Sequence, residues 1–263
     1  MIKCKKTDIV WLDKALSVKP ECLSFVKEQH RQTKIIGYSP DDMAGPHNQS
    51  KNWLKGLKHN DFFFTTKSYN VSELVALGAP KVIHVGNAYD PETHKPLKLT
   101  ADEKQRFGGR VGFIGAWEQD RADSILKLVL NGCPVRWWGW CGNRKWVKKH
   151  PCLSYENTPL WGIDYSKAIN AFDINLAFLR KLNRDQQTTR SIEIPACGAF
   201  MLAERTLEHQ ELFQEGVEAD YFSCNDELVD KVDFYLNNSK LRQKIARAGR
   251  MKCERSGYSN ENR

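Results

Sequence analysis

The chain has 263 residues, of which 41% are hydrophobic and 27% are charged, and its formal net charge is +8. This composition is that of a soluble globular protein with one large domain or two modest ones, and no apolar run approaches the roughly 20 residues of a membrane span. The N-terminal sequence MIKCKKTDIVWLD lacks the apolar core of a signal peptide, so we expect a cytoplasmic protein.

The basic residues are scattered along the chain, and their densest run is 144–149 (RKWVKK). No nucleic-acid-binding motif accompanies this run, so we expect no nucleic-acid partner. The eight cysteines form no C-x-x-C pair and no Cys/His cluster with zinc spacing. We therefore expect reduced, mostly buried thiols and no bound metal.

Short apolar runs alternate with helical segments in the first third of the chain. The predicted strands are 7–12, 34–38, 61–65 and 81–85, and the predicted helices are 20–30, 50–58 and 71–77. Strands that alternate with helices indicate a parallel sheet wound on both faces. Asp41, Asp42 and His47 follow the second strand, where they are candidates for a general base and equally for turn residues.

The alternation stops between residues 86 and 110, where Pro91, Pro96 and the pair Gly108-Gly109 indicate an interdomain linker. It then resumes. The predicted strands are 111–114, 135–138, 172–178, 199–203 and 219–222, and the predicted helices are 123–130, 164–170, 226–236 and 240–254. The sequence thus predicts two Rossmann-like lobes facing each other, with ligands beyond the carboxyl ends of their strands. Their bounds are 1–90 for the N-terminal lobe, 91–109 for the linker and 110–263 for the C-terminal lobe.

The stretch 185–204 (DQQTTRSIEIPACGAFMLAE) reads as a loop, a short helix with a glycine stop, and a buried strand. Thr188 and Thr189 are candidate N-caps, with free N–H groups beyond them. Arg190 adds a positive charge in the first turn, which makes the helix start a candidate diphosphate site. Glu193 lies one turn later on the same face, where a carboxylate can accept hydrogen bonds from sugar or ribose hydroxyls.

Further candidates follow the first two strands of the second lobe. Gly115 either terminates a strand or opens a ligand-binding loop, and Arg121 is either an exposed helix residue or a second phosphate ligand. The dense aromatic patch there consists of Trp137, Trp138, Trp140 and Trp146. Core packing is the usual use of tryptophan, and stacking on a sugar or a base is the alternative.

The run RSIEIPACGAFMLAE (190–204) resembles the donor-lobe signature of glycosyltransferases of the GT-B fold, and it is most similar to the CgeB-like, spore-maturation-type family of glycosyl transferases group 1. The similarity continues through LFQEGVEADYF (212–222), NDELVDKVDFYL (225–236) and LRQKIARAG (241–249). Upstream, VGFIGAWEQDR (111–121) resembles the first donor-lobe strand and loop. The runs DFFFTTKSYN (61–70) and LGAPKVIHVGNAYDP (77–91) resemble the end of the first lobe.

The resemblance implies an α/β, GT-B-like fold, in which two Rossmann-like lobes with parallel sheets face a cleft. The first lobe is shortened relative to the family, and the chain stops where the family's closing helix would begin. The implied activity is transfer of a hexose from a nucleotide-diphosphate sugar to an unknown acceptor, with no cofactor. The chain contains no Asp-x-Asp motif, so the transfer is expected to be independent of metal.

The resemblance also assigns roles to residues. Related enzymes contact the donor with two glutamates at a fixed spacing; the one that touches ribose matches Glu193, and the one that touches the sugar falls on Asp185, a shorter carboxylate. The diphosphate would be held by Arg190, with Arg121, Gly115, Thr188 and Thr189 as further donor-binding residues. Asp185 and Asp42 are the catalytic candidates.

Two other functions stay open at this point. A nucleotide-sugar epimerase of the same fold would isomerise the donor without needing an acceptor. A non-catalytic nucleotide-sugar or glycan-binding protein would also fit a shortened first lobe. The acceptor itself (glycan, protein or small molecule) stays open, as does peripheral association with a membrane.

Overall fold

The protein is described here by a computed structural model, which covers residues 7–140 and 150–263. Cys4, Cys141, Trp146 and the basic run 144–149 lie outside the described residues. The chain divides into two compact units. The first comprises Met1–Gly86 and Lys181–Asp185, and the second comprises Asn87–Arg180 and Gln186–Arg263.

The described residues of the first unit form four short strands and three α-helices. These are the strands β1 (Ile9–Asp13), β2 (Lys34–Ser39), β3 (Phe62–Thr65) and β4 (Val82–His84), and the helices α1 (Pro20–Gln29), α2 (Lys51–Gly56) and α3 (Asn70–Ala76). The strands form one parallel sheet in the order β1-β2-β3-β4. Each of the seven elements was predicted from the sequence, with small shifts at its ends.

The helices of the first unit lie on one face of its sheet. Parallel strands in sequential order are joined by right-handed crossovers, which place every helix on the same side. In agreement, Trp53 of α2 and Leu74 of α3 share a buried cluster with Phe63 of β3, and Leu23 of α1 lines a small cavity beside them. On the opposite face Trp11 is 55% exposed. The prediction of helices on both faces is therefore wrong for this unit, because alternation of elements does not specify the side on which each helix lies.

The second unit contains six strands and seven helices in its described residues. The strands are β5 (Gly109–Ile114), β6 (Val135–Trp138), β7 (Leu153–Tyr155), β8 (Phe172–Ala177), β9 (Met201–Glu204) and β10 (Asp220–Phe222). The helices are α4 (Ala101–Phe107), α5 (Gln119–Leu130), α6 (Gly162–Ala171), α7 (Arg190–Ala196), α8 (Leu207–Leu212), α9 (Asn225–Asn237) and α10 (Ser239–Arg255). The strands form one parallel sheet in the order β10-β9-β8-β5-β6-β7.

This second sheet is covered by helices on both faces, as predicted. Leu176 and Ala177 are neighbours in β8, so their side chains point to opposite faces, and they belong to two different buried clusters. Ile125 of α5 packs in the cluster of Leu176, and Ile192 of α7 packs in the cluster of Ala177. A strand buried on both faces is rich in apolar residues, as β8 is at Ile174, Leu176 and Ala177, although Asp173 and Asn175 interrupt the apolar run.

Three elements of the second unit were not predicted, namely α4, β7 and α8. Helix α4 lies in the predicted linker, although its capping box is visible in the sequence: Thr100 Oγ1 accepts the Glu103 N–H at 3.2 Å, and Glu103 accepts the Thr100 N–H at 2.9 Å. Helix α8 has only the first of these two bonds, from the His209 N–H to Thr206 Oγ1. These elements are three to seven residues long. Such short segments show too little periodicity to be recognised by pattern alone.

The cysteines are less buried than the sequence analysis predicted. Six lie in the described residues and all are free thiols, but only Cys197 and Cys253 are buried, whereas Cys22 and Cys224 are exposed. The expectation of mostly buried thiols is therefore wrong for this part of the chain. Burial raises the pKa of both Cys197 and Cys253 to about 12, so these two thiols stay protonated and unreactive near neutral pH.

Candidate functional site

The second unit contains a cavity of about 550 Å³ at the carboxyl ends of β5 and β6. Its walls come from the loops after these strands, the segment that leads into α6, the start of α7, and one residue of the 86–100 segment. The lining residues are His94, Ile114, Gly115, Ala116, Trp138, Gly139, Trp140, Pro159, Leu160, Trp161, Gly162, Tyr165, Thr189, Arg190 and Glu193. This volume is typical of a small-molecule site, and its position is where α/β sheets bind ligands.

The floor of the cavity is formed by two glycines in close approach. The Gly115 N–H donates to the carbonyl oxygen of Trp138 at 2.9 Å, which ties the loop after β5 to the end of β6. Gly139 has φ +148°, and a Cβ atom there would overlap the carbonyl oxygen of Gly115. The same oxygen accepts the indole N–H of Trp137 at 2.9 Å. Gly115 is therefore both a strand end and part of the cavity wall.

The tryptophans of the predicted aromatic patch divide between two roles. Trp137 is fully buried in the core and Trp138 is 8% exposed. Trp140 is 67% exposed and lines the cavity, as does Trp161, which is 79% exposed. Core packing thus explains Trp137, whereas Trp138 is buried and also lines the cavity, and Trp140 and Trp161 line it with largely exposed side chains.

The start of α7 differs from the predicted phosphate-binding helix end. Thr189 is the N-cap residue but its side chain makes no capping hydrogen bond. The N–H groups of Ser191, Ile192 and Glu193 already donate to the carbonyl oxygens of Thr188 and Thr189 at 2.9–3.0 Å. The predicted side-chain caps and free N–H groups beyond them are therefore wrong. The main-chain turn satisfies the N–H groups of Ser191, Ile192 and Glu193, so these three are not available to an anion.

Two side chains at this turn do keep unsatisfied polar atoms. Arg190 Nε and Thr188 Oγ1 are buried and have no hydrogen-bond partner. Arg190 lines the cavity, and Thr188 precedes Thr189 of the cavity wall. A buried polar atom without a partner is unfavourable by roughly 1–3 kcal/mol, so these atoms mark a place where a ligand oxygen would be bound.

Glu193 lines the same cavity with its carboxylate held by its neighbours. The Tyr165 hydroxyl, from α6, donates to Glu193 Oε2 at 2.6 Å. Burial, reinforced by the negative charge of Glu193, raises the pKa of Tyr165 well above its ordinary value, so this hydroxyl remains a donor at any physiological pH. His94 Nε2 lies 3.8 Å from Glu193 Oε1.

His94 and Tyr165 were not among the predicted site residues. His94 closes a tight turn in which its N–H donates to the Asp90 carbonyl at 2.7 Å. The sequence D-P-E-T-H signals such a turn, but nothing local to it indicates that the ring reaches α7. Tyr165 lies within a predicted helix, and the sequence does not specify which of its faces borders a cavity.

Arg121 lies beside the cavity loop but does not line the cavity. Its side chain is 5% exposed, its Nη1 donates to the Ala116 carbonyl at 3.1 Å, and Glu118 lies 3.5 Å away. These contacts hold the loop that follows β5. A direct phosphate contact by Arg121 stays a prediction.

Asp42 belongs to the first unit, where its carboxylate is buried and fully engaged. Arg184 donates to it twice, at 2.7 and 2.9 Å, and Asn70 donates at 2.8 Å. Burial opposes ionisation, but the hydrogen bonds from Arg184 and Asn70 outweigh it, so the pKa of Asp42 is lower than usual. A carboxylate with a lowered pKa is a weak base, and catalysis by Asp42 stays a prediction.

Asp185 also belongs to the first unit. It forms an ion pair with Lys67 at 2.5 Å, and both side chains are only 6% exposed. The pair anchors the segment Lys181–Asp185 to the loop after β3. A contact between Asp185 and a donor sugar stays a prediction.

In the described residues, no group of three or more His, Cys, Asp and Glu side chains is arranged to hold a metal ion.

Two α/β units, each built on a parallel sheet, with a ligand-sized cavity at the strand ends of the second, agree with a shortened GT-B-like fold. Residues 119–263 match the family described as "Glycosyl transferase-like". The chain therefore belongs to this glycosyl transferase-like family, while its place in the CgeB-like subfamily stays a prediction. No curated protein is similar enough to match the chain.

Solved structures share this fold at low sequence identity. Anabaena HepE, in complex with UDP-glucose, has a TM-score of 0.69 at 12% identity, over 96% of this chain and 75% of that chain. A glycosyltransferase from Rickettsia africae has a TM-score of 0.68 at 12% identity, over 97% of this chain and 74% of that one. Sucrose-phosphate synthase from Thermosynechococcus elongatus has a TM-score of 0.66 at 9% identity, over 97% and 70%.

Proposed function

We propose that this chain transfers a sugar, most simply a hexose, from a nucleotide-diphosphate sugar to an acceptor, and that it does so without a metal ion. The observation that carries the proposal is the pairing of Arg190 and Glu193 in one cavity. A cation with an unsatisfied buried donor lies one helical turn from a carboxylate that is held in place by Tyr165.

Arg190 would bind the diphosphate. Its Nε has no partner, and a phosphate oxygen would supply one in a charge-assisted hydrogen bond. Thr188 Oγ1 is equally unsatisfied and can donate to a second oxygen. As the bond from the sugar to the diphosphate breaks, negative charge grows on the leaving group. A fixed guanidinium at that point lowers the barrier without a metal.

Glu193 would bind the ribose. An ionised carboxylate offers about four acceptor positions, of which Tyr165 occupies one. The remaining positions suit the two neighbouring hydroxyls of a ribose. The spacing of Arg190 and Glu193 on consecutive turns of one helix matches a ligand that carries its phosphates next to its ribose.

Trp140 and Trp161 would bracket the base. Both line the cavity and both are mostly exposed, which is unfavourable for large aromatic side chains unless a flat ligand covers them. Stacking of a base on an aromatic ring is worth roughly 1–3 kcal/mol. Structures of HepE in complex with UDP-glucose and with UDP support UDP-sugars as the first donors to test.

The two remaining carboxylates complete the proposal. Asp185 would contact the sugar and Asp42 would face the acceptor. Lys67 and Arg184 would then fix these carboxylates in position. The acceptor, and any peripheral attachment to a membrane, stay predictions.

Calorimetric titration with UDP, UDP-glucose and uridine, in excess EDTA, tests the donor site. We expect UDP to bind and uridine to bind more weakly. Release of UDP from UDP-glucose is then followed with and without a panel of acceptors. Binding without any turnover would instead support a non-catalytic sugar-nucleotide-binding protein. Loss of binding in EDTA that magnesium restores would contradict metal independence.

A further inference from the structure

We propose that His94 is a positioning residue that orients the carboxylate of Glu193 toward the vicinal diol of the bound nucleotide. This inference rests on the proposed function, because the diol is that of the donor ribose. It concerns a side chain outside the helix that carries Glu193, and it assigns His94 a role that depends on its ring nitrogens.

The turn that carries His94 is rigidly built. Asp90 Oδ1 accepts the Glu92 N–H at 3.0 Å and Asp90 Oδ2 accepts the Thr93 hydroxyl at 2.6 Å. The His94 N–H donates to the Asp90 carbonyl at 2.7 Å. One aspartate therefore fixes the whole turn, and the His94 side chain leaves it in a defined direction.

The hydrogen bonds of this turn also determine the tautomer of His94. The Asp90 N–H donates to His94 Nδ1 at 3.1 Å, so Nδ1 is the acceptor. In the neutral ring the proton must then reside on Nε2. Nε2 is the atom that faces Glu193 Oε1 at 3.8 Å. The turn thus presents an N–H donor, and not a lone pair, to the carboxylate.

The surroundings keep the ring in this orientation. His94 packs edge-on against Tyr165, with ring centroids 5.8 Å apart and planes at 83°. The His94 and Glu193 side chains are only 13% and 15% exposed. Tyr165 therefore supports His94 through its ring and Glu193 through its hydroxyl. Three separate elements, the 90–94 turn, α6 and α7, converge on one carboxylate.

The 3.8 Å separation suits a site that closes on its ligand. It is too long for a hydrogen bond, so Oε1 is still available to a hydroxyl. Hydrogen bonds at functional sites are often long without ligand and shorten when the ligand binds. With Tyr165 on Oε2 and His94 beside Oε1, each carboxylate oxygen keeps acceptor capacity, which is what two adjacent hydroxyls of a ligand in the cavity require.

A matched pair of substitutions tests this role. His94→Gln keeps an N–H donor at the end of the side chain, and His94→Met has nearly the same length but no donor; both lack the imidazole, so both lose its packing. Affinities for UDP and for 2′,3′-dideoxy-UDP, which lacks the diol, are measured by calorimetry in the full chain. We expect His94→Met to weaken UDP about three- to tenfold relative to His94→Gln and to change the dideoxy nucleotide less than about twofold.

The same two His94 variants, made in Glu193→Gln protein, distinguish positioning of Glu193 by His94 from a direct contact between His94 and the nucleotide. If His94 acts through Glu193, then in Glu193→Gln protein the two His94 variants should bind UDP equally. Equal loss of both nucleotides in His94→Met, or a full effect of His94→Met in the Glu193→Gln background, would overturn the inference. Failure of the unmodified chain to bind UDP or any other nucleoside diphosphate would instead refute the proposed function.

Discussion

Gly139 lies so close to Gly115 that a Cβ atom on Gly139 would overlap the carbonyl oxygen of Gly115. The two loops that form the cavity floor therefore touch through their backbones, at a point where no side chain fits. We expect Gly139→Ala to push these loops apart and abolish nucleotide binding, with a clear fall in the melting temperature. Gly132→Ala is the control, because Gly132 also has positive φ but would place its Cβ in open space. If both variants bind UDP alike, the contact is dispensable.

Arg190→Ala should discriminate between phosphorylated and unphosphorylated ligands. Removing a charge-assisted hydrogen bond is unfavourable by about 1.5–3 kcal/mol, so UDP affinity should fall roughly ten- to a hundredfold, while uridine affinity changes little. Arg247→Ala removes the same charge from an exposed position on α10 and should leave both affinities unchanged. Uridine carries no phosphate, so a residue that binds only phosphate does not contribute to its affinity. Equal losses for UDP and uridine in Arg190→Ala would therefore show that Arg190 stabilises the fold and does not bind phosphate. Calorimetry on the folded variants makes the comparison.

His209 should make the protein less stable as the pH falls. Its Nε2 shares a 2.7 Å hydrogen bond with Ser191 Oγ, and Nδ1 lies 2.6 Å from the Glu204 carbonyl. Because that carbonyl only accepts, Nδ1 carries the proton and Nε2 accepts from Ser191. Burial lowers the pKa of His209 below 6.5, so the folded state keeps a neutral ring where the unfolded chain binds a proton. The unfolding free energy should therefore fall as the pH drops below about 6.5, by at most about 1.4 kcal/mol per pH unit.

Urea unfolding at pH 7 and pH 5 measures this effect. His209→Asn cannot titrate, so it should lose stability at pH 7 but show a smaller further loss at pH 5 than the unmodified chain. His84→Gln, at an exposed position, should leave the pH dependence unchanged. An unaltered pH dependence in His209→Asn would assign the effect to other groups.

Asp42→Asn should separate structure from catalysis in the first unit. The substitution removes the charge that Arg184 contacts twice, which should lower the unfolding free energy by about 1.5–3 kcal/mol at pH 7. Because the pKa of Asp42 is lowered in the folded state, this contribution exists above the carboxylate's ordinary pKa and disappears as the pH falls through the folded value. The difference between the two proteins should therefore vanish in strong acid.

Activity per folded molecule then decides the role of Asp42. If the carboxylate serves the acceptor, transfer should fall while UDP affinity stays within about twofold. If Asp42 is structural, activity well below the melting temperature should equal that of the unmodified chain. Asp226→Asn, at a side chain that is 81% exposed, is the control for loss of a negative charge.

The sequence predicted nine of the ten strands of the described residues, because these strands are mainly apolar runs bounded by polar turns. It did not predict that the first sheet has helices on one face only, since that property follows from strand order, which is set by long-range pairing. The exposed Trp11 and the buried Phe63 look alike in a pattern of apolar residues. Trp11 and Phe63 differ in the residues that pack against them, and the sequence pattern does not specify those residues.

The candidate site likewise contains residues that the sequence predicted and residues that it did not. Gly115, Thr189, Arg190 and Glu193 were predicted from one local stretch and one strand end, and all four line the same cavity. His94 was missed because its contribution depends on a contact with a residue far along the chain.

The chain order of the sheets has a consequence for dissecting this protein. The segment that matches the family begins at residue 119, the first residue of α5, whereas β5 ends at residue 114. Since β5 lies between β8 and β6, a fragment cut at the family boundary would lose the strand that joins three strands on one side to two on the other. A fragment that contains only the N-terminal residues of the first unit is incomplete as well, because that unit also includes Lys181–Asp185 from the second half of the sequence. Neither unit is one continuous length of chain, so neither can be produced whole as a single continuous fragment.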